Sequence, residues 1–518
     1  MKKYIKAKDV KKLYAGTSEF SLIDIREIGQ HTDGHPFFSI SIPYSIFEIR
    51  IIDLIPSKET LIILMDHNDG LSEIVEEIAS NLGYRNIQIL KNGVFGWKKA
   101  GFFLFKGIHV PSKAFGELVE LKKNTPHIKP SELRKKINKK DDIIVIDGRP
   151  FEEFKKMNIP TGICCPNMEI PLRIQNEIND KTEIIINCAG RTRSIIGAQN
   201  LINFGIKNKV RALENGTQGW TLAGYKLENN KTEALNLDKI KSQKSKYQNS
   251  ANNIINKFNL KTINLRTLNS FLEEKTRNTF IFNITANQNF SENKMYLKHA
   301  PGGQLIQATD SFVGVLNGKI VLIDDGELLR ASLTASWLKQ MGFDVYIFDD
   351  DINYLKNFFD QKKKFTIPKS KIVENDNLTN FLKLNLLDIR TSHEFKKTHI
   401  KRSKWINRAN LRFHNFNRNK DFLIIYNDLS KAELIYKDIT SKYKTSIYFY
   451  KFDQNFKRLS EFCTKKETFM KKEICIDFVY HTYKRHLGNR SHALAYLSWE
   501  KELLNHIDEE EIIRFKVL

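Results

Sequence analysis

Residues 215–220 read NGTQGW, and residues 92–97 read NGVFGW. A shift of 123 positions relates these two stretches, and the same shift carries the DIR of residues 24–26 onto the DGR of residues 147–149. Matches of several motifs at one period indicate two copies of one domain. This repeat therefore decides how the first half of the chain is organised.

Apolar runs rich in Ile and Leu precede amphipathic stretches in both copies. Residues 61–65 and 184–186 predict buried strands, while residues 72–82 and 194–204 predict helices, each followed by a glycine. Strands that alternate with helices at this spacing favour a parallel sheet. We therefore predict an α/β fold of repeated domains, each a mainly parallel sheet with helices on both faces.

The second half of the chain follows the same plan less regularly. Residues 280–283 and 320–323 predict strands of a third copy, and residues 386–390 and 422–426 predict strands of a fourth. The predicted organisation is unit one (1–108), unit two (126–228), a linker or solvent-facing helix (229–258), unit three (259–350), unit four (368–455) and a helical C-terminal extension (456–518).

Composition and charge indicate which classes of partner and which cellular compartment to expect for this protein. The formal charge is +23, but the lysines are scattered along the chain, so we expect no nucleic-acid partner. No apolar run approaches the roughly 20 residues of a membrane span, and residues 1–16 lack the apolar core of a secretory signal. An odd number of cysteines without a CxxC pair predicts free thiols in the cytoplasm: Cys164, Cys165, Cys188, Cys463 and Cys475.

These motifs resemble the rhodanese family over about residues 1–455. The features that carry the resemblance are the Asp-x-Arg at the first strand, the turn 33–35 (DGH) and its analogue 399–400 (HI), the NGxxGW motif and the segment 188–194, CAGRTRS. The order of the units looks like tandem four-domain rhodanese-related sulfurtransferases. In unit two the expected Gly-His-Ile turn reads NIPTG at 158–162, so the family's histidine is missing there.

The segment that begins at Cys188 lies between a predicted strand and a predicted helix. Successive backbone N–H groups of such a loop can form an anion-sized cup, and the helix N-terminus adds positive potential. This field favours the thiolate, which is the nucleophile in sulfur exchange. We predict Cys188 as the catalytic residue and, as substrate-binding residues, Ala189, Gly190, Arg191, Thr192, Arg193 and Ser194.

The predicted reaction is a double displacement. Cys188 takes the outer sulfur of a small anionic donor such as thiosulfate or a persulfide, and then passes it to a thiol, a protein or a cyanide-like acceptor. Arg191 and Arg193 are predicted to bind the oxyanion, because a guanidinium matches its geometry. No glycine-rich nucleotide loop follows a strand, so no organic cofactor is expected.

Three alternatives remain open at this stage. Cys188 could be a small buried apolar side chain. The chain could be a non-enzymatic sulfur carrier or scaffold. It could also be a cysteine phosphatase-like enzyme, although that signature places arginine six residues after the cysteine, and here Ser194 stands there while Arg193 falls one position early.

Units one, three and four offer no cysteine in the equivalent loops, 65–70, 323–327 and 426–430. We predict that they are inactive in persulfide chemistry because acidic side chains repel an anionic donor. A metal site at the loop acids Asp66, Asp69, Asp324 and Asp325 is a weaker alternative, and no metal is expected. Structural roles are predicted for the Asp147 and Arg149 pair and for Trp220. The same role is predicted for Cys164 and Cys165, with the alternative that one of these two cysteines acts as a resolving thiol.

Overall fold

The computed structural model describes residues 4–174, 178–235, 244–285, 297–324, 328–352, 355, 366–417, 419–456, 459–464, 473–482, 485 and 489–518. Asp325 and residues 236–243 of the predicted linker lie outside the described residues. Within this range, none of the helices is long and apolar enough to cross a membrane.

Unit one is built on a five-stranded parallel sheet. Its strands are β1 (Tyr4–Ile5), β2 (Phe20–Asp24), β3 (Ile40–Ser41), β4 (Leu61–Met65) and β5 (Ile87–Leu90). They pair in the order β1-β5-β4-β2-β3. The helices are α1 (Ala7–Tyr14), α2 (Ile28–His31), α3 (Phe47–Leu54), α4 (Leu71–Asn81) and α5 (Gly93–Lys99), and α6 (Val110–Lys123) connects unit one to unit two.

Unit two repeats this topology. Its strands are β6 (His127–Ile128), β7 (Ile143–Asp147), β8 (Gly162–Cys164), β9 (Glu183–Asn187) and β10 (Val210–Leu213), and their order is β6-β10-β9-β7-β8. The helices are α7 (Pro130–Lys139), α8 (Phe151–Lys156), α9 (Ile170–Arg173), α10 (Thr192–Phe204) and α11 (Gly216–Leu222). On β9, Ile184 and Ile186 enter one apolar cluster and Ile185 enters another. The central strand is therefore buried on both faces, which explains its unbroken apolar run.

A packed helix, α12 (Lys244–Phe258), connects unit two to unit three. It lies within the predicted linker or solvent-facing helix (229–258), but one of its faces is packed against neighbouring parts of the chain. Tyr247, Ala251 and Ile254 are buried, and the Tyr247 hydroxyl donates to the carbonyl of Leu172 at 2.8 Å. The apolar residues recur at a spacing of three and four, which places them on one helix face.

Units three and four contain two further parallel sheets. In unit three, β11 (Lys261–Ile263), β12 (Thr279–Asn283), β13 (Leu297–His299), β14 (Lys319–Ile323) and β15 (Asp344–Phe348) have the order β11-β15-β14-β12-β13, with helices α13 (Leu265–Glu273), α14 (Gly302–Gln307) and α15 (Leu329–Gln340). The strands of unit four are β16 (Asn385–Asp388), β17 (His399–Ile400), β18 (Lys404–Trp405), β19 (Phe422–Tyr426) and β20 (Ile447–Lys451), and the sheet order is β18-β16-β19-β20. Its helices are α16 (Leu378–Phe381), α17 (Ser392–Lys397), α18 (Arg408–Leu411) and α19 (Leu429–Lys442).

The C-terminal extension contains α20 (Leu459–Phe462), β21 (Cys463–Thr464), α21 (Arg490–Glu502) and α22 (Glu509–Ile512). It runs over several units. β21 pairs antiparallel with β17, and Lys11 of α1 forms ion pairs with Asp508 and Glu511, both at 2.5 Å. The backbone N–H of Lys516 donates to the carbonyl of Gln340 in α15. The predicted α/β class and the helical extension are thus confirmed.

The Asp-x-Arg motif adopts one geometry in units one, two and four. In unit two, Arg149 donates to both carboxylate oxygens of Asp147 at 2.8 and 2.7 Å and to the carbonyl of Met157, eight residues onward. Arg26 and Arg390 make the same bonds to Asp24 and Asp388, and each also donates to a carbonyl eight residues onward. In each of these units, the buried ion pair therefore links the end of the first long strand to the backbone eight residues after the arginine.

We expect Arg149→Met to be strongly destabilising, because it leaves the buried Asp147 carboxylate without its charged partner. The expected loss is about 3–5 kcal/mol, measured from the shift of the urea unfolding curve. The matched control is Arg85→Met, which removes an ion pair to Glu59 between largely exposed side chains and should cost less than about 1 kcal/mol. Equal losses in the two variants would contradict a structural role for the Asp147 and Arg149 pair.

Candidate active site

Cys188 follows β9, at the carboxyl end of the central strand of unit two. Its side chain is only 2% exposed, and it lies at a cavity of about 240 Å³. The loop then leads directly into α10 at Thr192. A buried strand on one side and a helix on the other hold the sulfur at the bottom of the loop.

The sulfur of Cys188 is held by groups of its own loop. Its thiol donates to the Ser194 hydroxyl at 3.5 Å, and the backbone N–H groups of Gly190 and Ser194 lower the pKa of the thiol. Burial raises the pKa of the thiol above its ordinary value, and Arg193 together with these donors offsets part of that rise. The predicted field favouring the thiolate is therefore present, but burial outweighs it.

Arg191 and Arg193 make their strongest contacts with carboxylates. Arg191 donates to both oxygens of Glu117 in α6 at 2.7 and 2.8 Å and also contacts Glu120. Arg193 donates to both oxygens of Glu153 at 2.8 Å. Arg193 is the arginine that lowers the pKa of the Cys188 thiol. The guanidinium of Arg191 instead ties the loop to α6.

The remaining predicted loop residues also have defined positions. Ala189 accepts hydrogen bonds through its carbonyl from the backbone N–H and the side-chain amide of Gln218. Thr192 donates to Glu500 at 2.8 Å. Gly190 lies beneath α21: a Cβ added there would stand 3.3 Å from both Glu500 Oε2 and a ring carbon of Tyr496. The structure thus places the first four residues of the predicted segment in the loop and the last three, Thr192 to Ser194, in the first turn of α10.

Several residues of the cavity were not identified from the sequence. The C-terminal extension contributes Arg485, Tyr496 and Glu500, and unit three contributes Gln304 and Gln307. Lys113 of α6 also lines the cavity, and burial lowers its pKa to about 8. No motif surrounds these residues, so only tertiary packing identifies them as part of the site.

The NGxxGW motif supports this loop directly, in addition to forming a turn. Gly216 has a φ of +55°, and a Cβ there would stand 2.3 Å from the carbonyl oxygen of Cys188. The next residue, Thr217, donates its backbone N–H to the same oxygen at 2.8 Å. Trp220 is fully buried, as predicted. The first glycine of the motif is therefore required for close approach of α11 to the loop.

In unit one, the same cup holds a carboxylate. Asp66 takes the place of Cys188, and its oxygens accept the backbone N–H groups of Asn68 and Ser72, two and six residues onward. Gly190 and Ser194 stand two and six residues after Cys188, and their backbone N–H groups lower the pKa of its thiol. The carboxylate of Asp66 thus binds the amides at the positions that correspond to Gly190 and Ser194 in unit two.

Units three and four differ from unit one in detail. In unit three, Asp324 accepts the backbone N–H of Ala331 and pairs with Arg330. In unit four, Asn427 follows β19 and donates to Glu394. No group of three or more His, Cys, Asp or Glu side chains suited to a metal occurs in the described part of the chain.

Cys164 and Cys165 lie away from the cavity and are buried in unit two. Burial raises the pKa of Cys164 to about 12 and raises that of Cys165 further. Both thiols are therefore poor nucleophiles, in agreement with the structural role predicted for them. All five cysteines are free thiols.

The fold is rhodanese-like: residues 6–100 and 129–223 each match the model of the rhodanese-like domain, and the second segment contains Cys188. Over its whole length, the chain is similar to the crystal structure of a thiosulfate sulfurtransferase from Pseudomonas aeruginosa, with 27% identity and a TM-score of 0.87. That comparison covers 100% of this chain and 99% of the other.

A curated relative is also similar over part of the chain. The protein named "Putative sulfur carrier protein YrkF", from Bacillus subtilis (strain 168), is 29% identical over 96 residues, or 18% of this chain. The matched segment spans about half of that relative, 51% of its length.

The raised pKa of Cys188 predicts a specific pH dependence of its reactivity. Because only the thiolate reacts, we expect the rate of Cys188 alkylation by iodoacetamide to keep rising above about pH 8. Peptide mass spectrometry after timed quenching separates Cys188 from the other four cysteines. A rate that levels off near neutral pH would contradict the dominance of burial over Arg193.

Proposed function

We propose that this protein is a sulfurtransferase that carries sulfane sulfur on Cys188. The observation that carries the proposal is the position of this buried sulfur, which lines a polar cavity beside Arg193 and beside two backbone N–H groups that lower the pKa of its thiol. Amide donors in a water-poor site stabilise an anionic sulfur strongly. The similarity to a thiosulfate sulfurtransferase supports the same reaction class.

The proposed chemistry has two steps that balance in atoms and charge. The Cys188 thiolate attacks the outer sulfur of thiosulfate, the S–S bond of thiosulfate breaks, and sulfite leaves with the bonding pair. The persulfide anion remains on Cys188. A thiolate or cyanide then attacks the outer sulfur, the Cys188 S–S bond breaks, and the Cys188 thiolate is regenerated. Arg193, near the sulfur, stabilises both anionic states.

We further propose that unit two is the catalytic unit of a tandem arrangement of four rhodanese-like units. The four sheets support this, because units one to three share one strand order and unit four has the same order without its first strand. In unit one, Asp66 occupies the cup, so no sulfur can be carried there. The proposed setting is cytoplasmic, with a small anionic donor and without nucleic acid or membrane as partners.

A second candidate function is a stoichiometric sulfur carrier. The similarity to the protein named as a sulfur carrier favours it, although that similarity covers about half of the relative. A carrier accepts one sulfur and releases it only to a partner protein. Repeated production of thiocyanate from thiosulfate and cyanide, at many equivalents per protein, distinguishes the enzyme from the carrier.

Treatment with thiosulfate should add about 32 Da to the intact protein, because the first step leaves one sulfur atom on Cys188. We expect this adduct in the parent and in Cys164→Ser, but not in Cys188→Ser. Cyanide should remove it. An adduct that persists in Cys188→Ser would overturn the assignment of the sulfur carrier.

Gly216→Ala should slow sulfur loading by more than about tenfold, because the new Cβ forces the Cys188 carbonyl out of place. The matched control is Gly93→Ala, since a Cβ at Gly93 would stand 2.3 Å from the carbonyl oxygen of Asp66 in unit one. This control introduces the same clash in a unit without a loop cysteine. Loading rates from quenched intact-mass measurements should fall only in Gly216→Ala, and an equal fall in both would contradict the role of the loop.

A further inference from the structure

The cavity above Cys188 contains buried polar atoms without partners. Glu500 is only 1% exposed, and its Oε1 accepts from Thr192, whereas its Oε2 has no hydrogen-bond partner within the described residues. The side-chain oxygen of Gln218 also has no partner within the described residues, whereas the amide nitrogen of Gln218 donates to the carbonyl of Ala189. Buried polar atoms rarely remain without a partner, so these two acceptors indicate a ligand that donates.

The unpaired Glu500 Oε2 and the side-chain amide of Gln218 both lie beside the Cys188 loop. A Cβ built on Gly190 would stand 3.3 Å from Glu500 Oε2 and 3.4 Å from the amide nitrogen of Gln218. Both side chains therefore converge on the backbone that follows Cys188. A buried carboxylate oxygen without a partner, next to a side-chain amide, suits a cationic group with several N–H donors, such as an ammonium.

Groups of opposite charge also line the cavity. Arg485 has a buried Nε without a partner in the described chain, and its guanidinium stacks on the ring of Tyr496 at 4.3 Å. Lys113 adds a second positive charge to the lining. A carboxylate is the complementary ligand for this side. The cavity thus presents a partner for a cation and a partner for an anion near one nucleophilic sulfur.

The size of the cavity sets a limit on the acceptor. Its volume of about 240 Å³ is below the range of about 300–1,000 Å³ that is usual for drug-sized ligands. Helix α21 covers Gly190, so a folded protein has little access to the loop. These dimensions fit a small molecule.

We propose that the sulfur acceptor is a small zwitterionic aminothiol, with its ammonium bound by Glu500 and Gln218 and its carboxylate by Arg485. The inference rests on the proposed sulfurtransferase function and specifies its second substrate. The thiolate of this acceptor attacks the outer sulfur of the Cys188 persulfide, leaves as its own persulfide and returns the thiolate to Cys188. The C-terminal extension thereby determines acceptor specificity.

The test uses the full-length protein, loaded with thiosulfate and freed of excess donor. The adduct of one sulfur atom adds about 32 Da, and its loss is followed over time at matched thiolate concentrations of three acceptors. These are cysteine, 3-mercaptopropionate, which lacks the ammonium, and cysteamine, which lacks the carboxylate. We expect Glu500→Gln to lower the ratio of the cysteine to the 3-mercaptopropionate rate constant by about tenfold. The amide oxygen of the new glutamine still accepts the hydrogen bond from Thr192. Because each ratio of rate constants is taken within one variant, differences between variants in sulfur loading cancel.

Glu502→Gln is the matched control, because Glu502 lies on the same helix, is exposed and accepts a hydrogen bond from Ser498. Its acceptor ratios should equal those of the parent. Arg485→Gln provides a second, independent measurement and should lower the ratio of cysteine to cysteamine by about tenfold. Unchanged ratios in Glu500→Gln and Arg485→Gln would overturn the inference.

The outcomes also separate this inference from the proposed function. If the parent forms no adduct with thiosulfate, the sulfurtransferase proposal fails. If the adduct forms and cyanide removes it, but the parent shows no preference for cysteine over both analogues, only the aminothiol inference fails.

Discussion

Two backbone N–H groups lie at the carboxyl end of the central strand, and the side chain next to them separates unit two from unit one. In unit two this side chain is the Cys188 thiol, and the N–H groups of Gly190 and Ser194 lower its pKa. In unit one, Asn68 and Ser72 donate to the carboxylate of Asp66. Buried amides must be satisfied in either case, so the fold retains the same cup whether or not it holds a reactive sulfur.

Enclosure of this cup has opposing effects on the chemistry. It removes water, which strengthens the contacts of an anionic sulfur with its donors. It also disfavours the thiolate in the resting protein, because burial raises the pKa of Cys188. Arg193 offsets part of that rise, while Arg191 joins the loop to α6. One of the two loop arginines therefore acts on the sulfur, and the other fixes the loop.

The fold of the individual units could be predicted from local patterns. The strand predicted at 61–65 coincides with β4, and that predicted at 422–426 coincides with β19, because strands buried on both faces are continuous apolar runs. The buried face of helix α12, which lies in the predicted linker, could not be predicted in the same way. Its buried residues are separated by several Lys and Asn, and only the neighbouring units supply the surface that covers them.

The sequence by itself determined the repeat, the α/β class, the loop and its cysteine, because each depends on residues that are close in the chain. Tertiary structure decided what surrounds that cysteine. Glu500 reaches Thr192 across 308 positions, and Arg191 reaches Glu117 across 74. Such contacts follow from how units and extension pack, and burial then sets the charge state of groups whose local sequence would predict otherwise.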